Sequence, residues 1–172
     1  MKRFGLKDNR TAHFEPKTAI FPGREAPVIL LNEDGERELQ MLTWGYVRRP
    51  PGRAPSRTGN ARNDTVLNNR FWTDSFKSRR ALVPATAYCE PVGQKPAVWH
   101  WHALRGQEPR TLFAFPGIWR DYTGPIKKDG EPVTQRVFAF LTCGPNALPT
   151  AEHHGRMPVV LDNEEAFERW MK

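Results

Sequence analysis

Cysteine is scarce in this 172-residue chain: Cys89 and Cys143 are the only two, which argues against a disulfide framework. No apolar run approaches the roughly 20 residues that a bilayer-spanning helix needs. The start, MKRFGLKDNR, lacks the apolar stretch of a secretory signal. These absences predict a cytoplasmic protein with no membrane partner. Acid is missing from one long stretch: no Asp or Glu lies between Glu38 and Asp64, where Arg48, Arg49, Arg53, Arg57 and Arg62 all fall. What the chain does have is 38% hydrophobic and 11% aromatic residues, enough to build a globular core and too many for a disordered chain. Sixteen prolines and thirteen glycines predict many turns and short elements. At this length, residues 1–172 are expected to form one domain, and a monomer is the expected state.

The net charge of +7 is concentrated in the acid-free stretch, just after Trp44 and Tyr46. Arginines beside aromatics suit single-stranded nucleic acid, because guanidinium groups meet phosphates while rings stack on bases. The same pattern is compatible with an acidic protein or an anionic metabolite. Residues 50–59, PPGRAPSRTG, also read as a solvated connector.

The hydrophobic pattern is α+β. Residues 26–32 and 38–44 flank the turn signal EDGE and read as a hairpin. Phe71, Trp72, Ser75, Phe76 and Arg79 recur at helical spacing, so 68–80 reads as a short amphipathic helix. Residues 81–90 read as a strand interrupted by proline, and 97–104, 111–119 and 136–143 as further strands. Residues 124–132 read as a surface hairpin loop, and 162–172 as a terminal helix capped by Asp162 or Asn163. The expected architecture is a mixed, largely antiparallel sheet, curved or forming an open barrel, with a few short helices.

Several residues are suited to chemistry. Glu90 ends an apolar run, where burial would favour acid–base work, although a strand-end surface carboxylate fits as well. His153 and His154 sit on a Pro- and Gly-punctuated loop between two apolar runs, a common setting for a general acid or base. Asn60 and Arg62 supply an amide and a guanidinium, or simply a turn. His100 and His102, two apart on a strand, share a face that with a loop histidine would suit zinc. The aromatic alternation of VWHWHAL explains that segment without a metal, and neither a metal nor another cofactor is expected. Cys89 and Cys143 read as small buried hydrophobes without a CxxC partner.

The stretches WG (44–45), NAR (60–62), F-x4-F followed by RRALVPATAYCEP (71–91), FAFPGIW (113–119) and LTCGPNAL…HHGRMPVVL (141–161) resemble, in order and spacing, the SOS response-associated peptidase family. The likeness covers about residues 20–172 and is greatest to the family's phage-related branch. It implies processing of abasic sites in single-stranded DNA during the damage response. In that family a cysteine directly after the initiator methionine forms a thiazolidine crosslink with the ring-opened sugar, and the same machinery removes a short leader by autoproteolysis. By this resemblance Asn60 holds the nucleophilic terminus and the sugar, and Glu90 partners the α-amine and moves protons. The family's histidine falls on the HHGRMP loop. Counting back from Met157–Pro158 selects His154; counting forward from LTCGPNA selects His153. Arg62 and Arg156 match phosphate-holding positions and Trp44 a wall of the DNA groove. Arg48 and Arg49 extend the basic surface.

The chain departs from the family at its start, because residue 2 is Lys2. The expectation is a cysteine-bearing terminus upstream of Met1. The alternative is a relative that binds single-stranded DNA and does not crosslink.

Overall fold

The computed structural model describes residues 2–6, 17–92, 98–104, 110–145 and 155–172. After a 3-10 turn at Lys2–Phe4, a hairpin is formed by β1 (Glu25–Leu31) and β2 (Arg37–Trp44). Its turn is closed by Asn32, whose Oδ1 accepts from the amides of Asp34 and Glu36 at 3.1 and 2.8 Å. Three short strands follow: β3 (Tyr46–Arg48), β4 (Ser56–Thr58) and β5 (Asn60–Arg62). Next come α1 (Arg70–Ser78), β6 (Arg80–Ala85), β7 (Tyr88–Val92) and β8 (Val98–His102). The chain ends with β9 (Phe113–Pro125), β10 (Pro132–Cys143), β11 (Met157–Pro158) and α2 (Glu164–Met171).

The sheet runs β10–β2–β1–β6–β9, and β9 pairs back onto β10 from Pro132↔Pro125 to Phe140↔Gly117. The five strands therefore close into a barrel. The expected curved, α+β sheet is present, and its curvature goes to closure, which removes both sheet edges. The barrel is mixed because β10 runs parallel to β2, with Val137 opposite Thr43 and Phe138 opposite Trp44.

Strand alternation sorts the side chains into layers. Every barrel strand contributes to the inner cluster: Val28 and Leu30 from β1, Leu42 from β2, Val83 from β6, Phe115 from β9, and Phe138 and Phe140 from β10. The intervening residues face outward. Val137, Ala139 and Leu141 pack under α1 with Tyr46, Trp72 and Ile118. Ile29, Leu39, Leu82 and Ala114 pack under α2 with Phe4, Phe167 and Met171. Helix α1 starts where Asn69 Oδ1 accepts from the Phe71 amide at 3.0 Å, and α2 where Asn163 Oδ1 accepts from the Ala166 amide at 2.9 Å. Arg37, its side chain 9% exposed, pins α2 to β2 through Glu164 and Glu168 at 2.7 and 2.9 Å.

Three expectations shift in detail. The strand expected at 81–90 is two, β6 and β7; Pro84 lies inside β6, and the break falls at Thr86 and Ala87. The loop expected at 124–132 contracts, since β9 runs to Pro125 and β10 starts at Pro132. The connector expected at 50–59 holds β4, paired antiparallel with β3.

Candidate functional site

One end of the barrel opens into a cleft of about 1280 Å³. Its floor is the inner cluster, including Val83, Phe115, Phe138 and Phe140. A concave apolar floor with a few polar groups on its walls is the usual form of a ligand site.

One wall is β5. It lies parallel to β10, with Asn60, Ala61 and Arg62 opposite Phe140, Leu141 and Thr142. Ala61 is fully buried in the cluster under α1, so Asn60 and Arg62 face the opposite way, and both line the cleft. Beside them, Trp44 packs on Phe138 and Phe140 at ring-centroid distances of 6.4 and 5.3 Å. Its indole N–H donates to the Gly59 carbonyl at 3.1 Å. A Cβ at residue 59 would sit 2.5 Å from that indole nitrogen, so the close approach requires glycine. The chain can place Trp44 inside and Tyr46 outside because Gly45 between them has φ +111°, a backbone open to glycine.

The facing wall is the two-stranded ribbon of β7 and β8. Its register opposes Tyr88 to His102, Cys89 to Trp101, Glu90 to His100 and Pro91 to Trp99. Tyr88 stacks on His102 at 4.9 Å and meets Phe115 edge-on at 5.9 Å, which joins the ribbon to the barrel interior. Glu90 lines the cleft, half-buried. Burial raises the Tyr88 hydroxyl pKa, and the Glu90 charge raises it further. Burial also pushes the Cys89 thiol up, which keeps it protonated and makes it a poor nucleophile.

Arg62 and Arg156 share one acid. Arg62 clamps Asp64 at 3.1 and 2.7 Å, and Arg156 reaches the same carboxylate at 3.4 Å. Arg156 also donates to the Thr142 carbonyl at 2.6 Å, the Thr142 hydroxyl at 3.1 Å and Asn63 Oδ1 at 2.8 Å. The hydrogen bond from Arg62 is the main reason that the Asp64 carboxyl is held down at about 2. Two guanidiniums on one carboxylate leave a net positive rim. Lys17 and Arg110 add to it, against Glu90 on the same lining.

Asn60, Arg62, Glu90, Trp44 and Arg156 thus come together at one cleft. Arg48 and Arg49 stand apart from its lining. Arg48 lies over the Phe71 ring at 4.2 Å, and Arg49 reaches to Gly124, where a Cβ would sit 3.2 Å from its guanidinium. Arg57, from the same basic stretch, donates to the Gly45 carbonyl at 3.0 Å, and burial lowers its pKa. His153 and His154 lie outside the described residues. His100 and His102 sit on one ribbon face, and among the described residues no three His, Cys, Asp or Glu side chains gather as a metal site. No described helix is long and apolar enough to cross a membrane.

Sequence reasoning passed over Trp99, Trp101, Arg110 and Lys17 in the lining. The signal for the tryptophans was present: the strand alternation that pairs His100 with His102 puts Trp99 and Trp101 together on the other face.

The amide of Asn60 can both donate and accept, which suits a clamp for a small polar group. The Glu90 carboxylate can take a proton from an attacking amine, and the basic rim suits phosphate. The family model described as SOS response associated peptidase (SRAP) matches residues 1–172. The abasic site processing protein HMCES of Gallus gallus is 25% identical over 191 residues, covering 94% of this chain and 55% of that protein. The protein of the same name from Xenopus tropicalis is 21% identical over 199 residues, covering 96% and 56%. The chain therefore spans little more than half the length of these relatives. Among solved structures, a Bordetella bronchiseptica protein superposes with a TM-score of 0.72 at 22% identity, covering 99% of this chain and 82% of that one. A phage-related protein from the same organism gives 0.62 at 24% identity, covering 96% and 74%. At these identities the structural likeness is one of fold.

Proposed function

This chain belongs to the SOS response associated peptidase (SRAP) family, and from that premise we propose that it processes abasic sites, binding single-stranded DNA across the barrel mouth. The observation that carries the reading is the meeting of Asn60, Glu90, Arg62 and Arg156 at one basic-rimmed cleft with an apolar floor. Two of the relatives are named for abasic site processing, which supports the choice of lesion.

In this reading the phosphates flanking the lesion lie on Arg62 and Arg156, and the baseless sugar enters beside Asn60 and Glu90. An abasic site has no base edge to read, so affinity comes from phosphate charge and from stacking with neighbouring bases. The ring-opened sugar presents an aldehyde. A terminal cysteine attacks it through its α-amine, Glu90 accepting the amine's proton; water leaves as the imine forms, and the thiol adds to the imine carbon to close a thiazolidine. A histidine of the 153–154 pair would supply the proton for ring opening. Lys2, at the second position, has no thiol, and Cys89 and Cys143 lie within the chain without a free α-amine. The crosslinking step therefore needs a cysteine with a free α-amine, which neither of these two can supply.

The test is a pair of gels with single-stranded DNA carrying one abasic site. A native gel should show a shift that weakens with salt and is stronger for the single strand than for an intact duplex. A denaturing gel of the same mixture should show no heat-stable band. Absence of any native shift at low salt would overturn the reading, and a heat-stable band without added reductant would overturn the assignment of the nucleophile.

A further inference from the structure

The ribbon of β7 and β8 carries an unusual exposed pair. Trp99 and Trp101 are 55% and 51% exposed, and they stand on one face, since residues two apart on a strand point the same way. The opposite face is committed: Tyr88 and His102 stack on each other, and Tyr88 reaches Phe115. β7 and β8 form a sheet of their own, so no third strand pairs with β8 among the described residues. Both tryptophans line the cleft that also holds Arg62, Arg110 and Arg156.

From this we propose that Trp99 and Trp101 form a stacking shelf for bases adjacent to the lesion, so that the tryptophans hold the intact part of the strand while β5 and Glu90 hold the damaged part. The inference rests on the reading that the cleft takes single-stranded DNA, and it adds a subsite to that reading. The charge of the rim selects the occupant. Two exposed indoles alone would suit any apolar partner, whereas indoles in a cleft lined by Lys17, Arg62, Arg110 and Arg156 suit a polyanion that carries flat rings. Spacing agrees. Residues two apart on a strand are about 6.6 Å apart, close to twice the ~3.4 Å thickness of a stacked base. One base fits between the two rings, or one stacks on each. Stacking reads no base edge, so the shelf should tolerate any sequence beside the lesion.

The experiment measures Kd for two strands of equal length: one with bases around a single abasic site, and one made entirely of abasic-analogue sugars, with phosphates and no bases. Wild type should prefer the base-bearing strand. Trp99→Ala and Trp101→Ala should each weaken that strand about tenfold while leaving the baseless strand unchanged. Trp99→Phe and Trp101→Phe should recover most of the loss, which also controls for folding, and the salt slope of log Kd should stay as in wild type. Equal loss on both strands would overturn the shelf, because the tryptophans would then act on the fold or the phosphates. Unchanged binding of the base-bearing strand by the double alanine variant would overturn it as well. So would a wild-type dimer, seen by concentration-dependent elution, that the alanine variants abolish. If wild type binds neither strand, the function proposed above fails first, and the shelf falls with it.

Discussion

Arg48 and Arg62 leave the same basic stretch of sequence for opposite sides of the barrel wall, where Arg120 and Arg156, from later in the chain, join them. On the cleft side, Arg62 and Arg156 are held by a carboxylate, a hydroxyl, a carbonyl and an amide oxygen, and they keep their charge at the rim. On the α1 side the partners are rings. Arg48 lies over Phe71, and Arg120 lies over Tyr46 and Phe71 at 4.5 and 4.6 Å while donating to the Val47 carbonyl. Burial lowers the Arg120 pKa, and the nearby charges of Arg79 and Arg48 lower it further. The first group offers charge outward, and the second uses aliphatic stems and flat guanidiniums as packing. A run of arginines is thus not one surface.

Substitutions can separate the two roles. Gly59→Ala should do the most damage, because its Cβ would force Trp44 from the wall that both groups flank. A loss of about 2 kcal/mol is expected for such overpacking, together with weakened DNA binding, read by thermal melting and by Kd. Arg120→Ala should damage the fold alone. Losing its ring contacts and the Val47 bond, offset by relief of the repulsion from Arg79 and Arg48, should cost about 1–2 kcal/mol with Kd for single-stranded DNA unchanged. A matching loss of affinity would move the DNA path to the α1 side. Arg62→Ala should do the reverse: the melting temperature stays close to wild type because the side chain is exposed, and the salt slope shrinks by about 0.7, the value for one phosphate contact on a single strand.

The smallest effect is on pH. The folded-state pKa of Asp64 is depressed to about 2 from 3.8, chiefly by Arg62. Its contribution to stability is therefore complete above about pH 4 and is lost as pH falls through about 2. Asp64→Asn should flatten the acid limb of a melting-temperature profile in that window and leave neutral pH little changed. A profile identical to wild type at low ionic strength would mean that the pair is fully screened by solvent.

Much of the barrel was legible because its signals are local. The β1–β2 hairpin follows from apolar runs around EDGE, and α1 from the spacing of Phe71, Trp72, Ser75 and Phe76. Strand β5 had no such signal. Its three residues lie in a Gly- and Arg-rich stretch, and they become a strand only by pairing with Phe140–Thr142, about eighty residues away. Closure of the barrel by β9 and β10 is likewise a long-range event. At the cleft, the resemblance supplied Asn60, Glu90, Arg62, Arg156 and Trp44, which the fold brings together. It could not show that Arg48 lies on a phenylalanine, because charge patterning in sequence says nothing about which ring a guanidinium will meet.

The position of the lesion can be read chemically through Lys17, which lines the cleft. An abasic aldehyde and a lysine ε-amine condense to an imine with loss of water, and borohydride reduces that imine to a stable secondary amine. The measurement is therefore borohydride trapping of an abasic single strand on the 172-residue chain, with the adduct located by peptide mass spectrometry. A cleft-bound lesion should place the adduct on Lys17. Adducts confined to Lys77 on α1, or to Lys127 and Lys128 in the β9–β10 turn, would contradict binding at the barrel mouth.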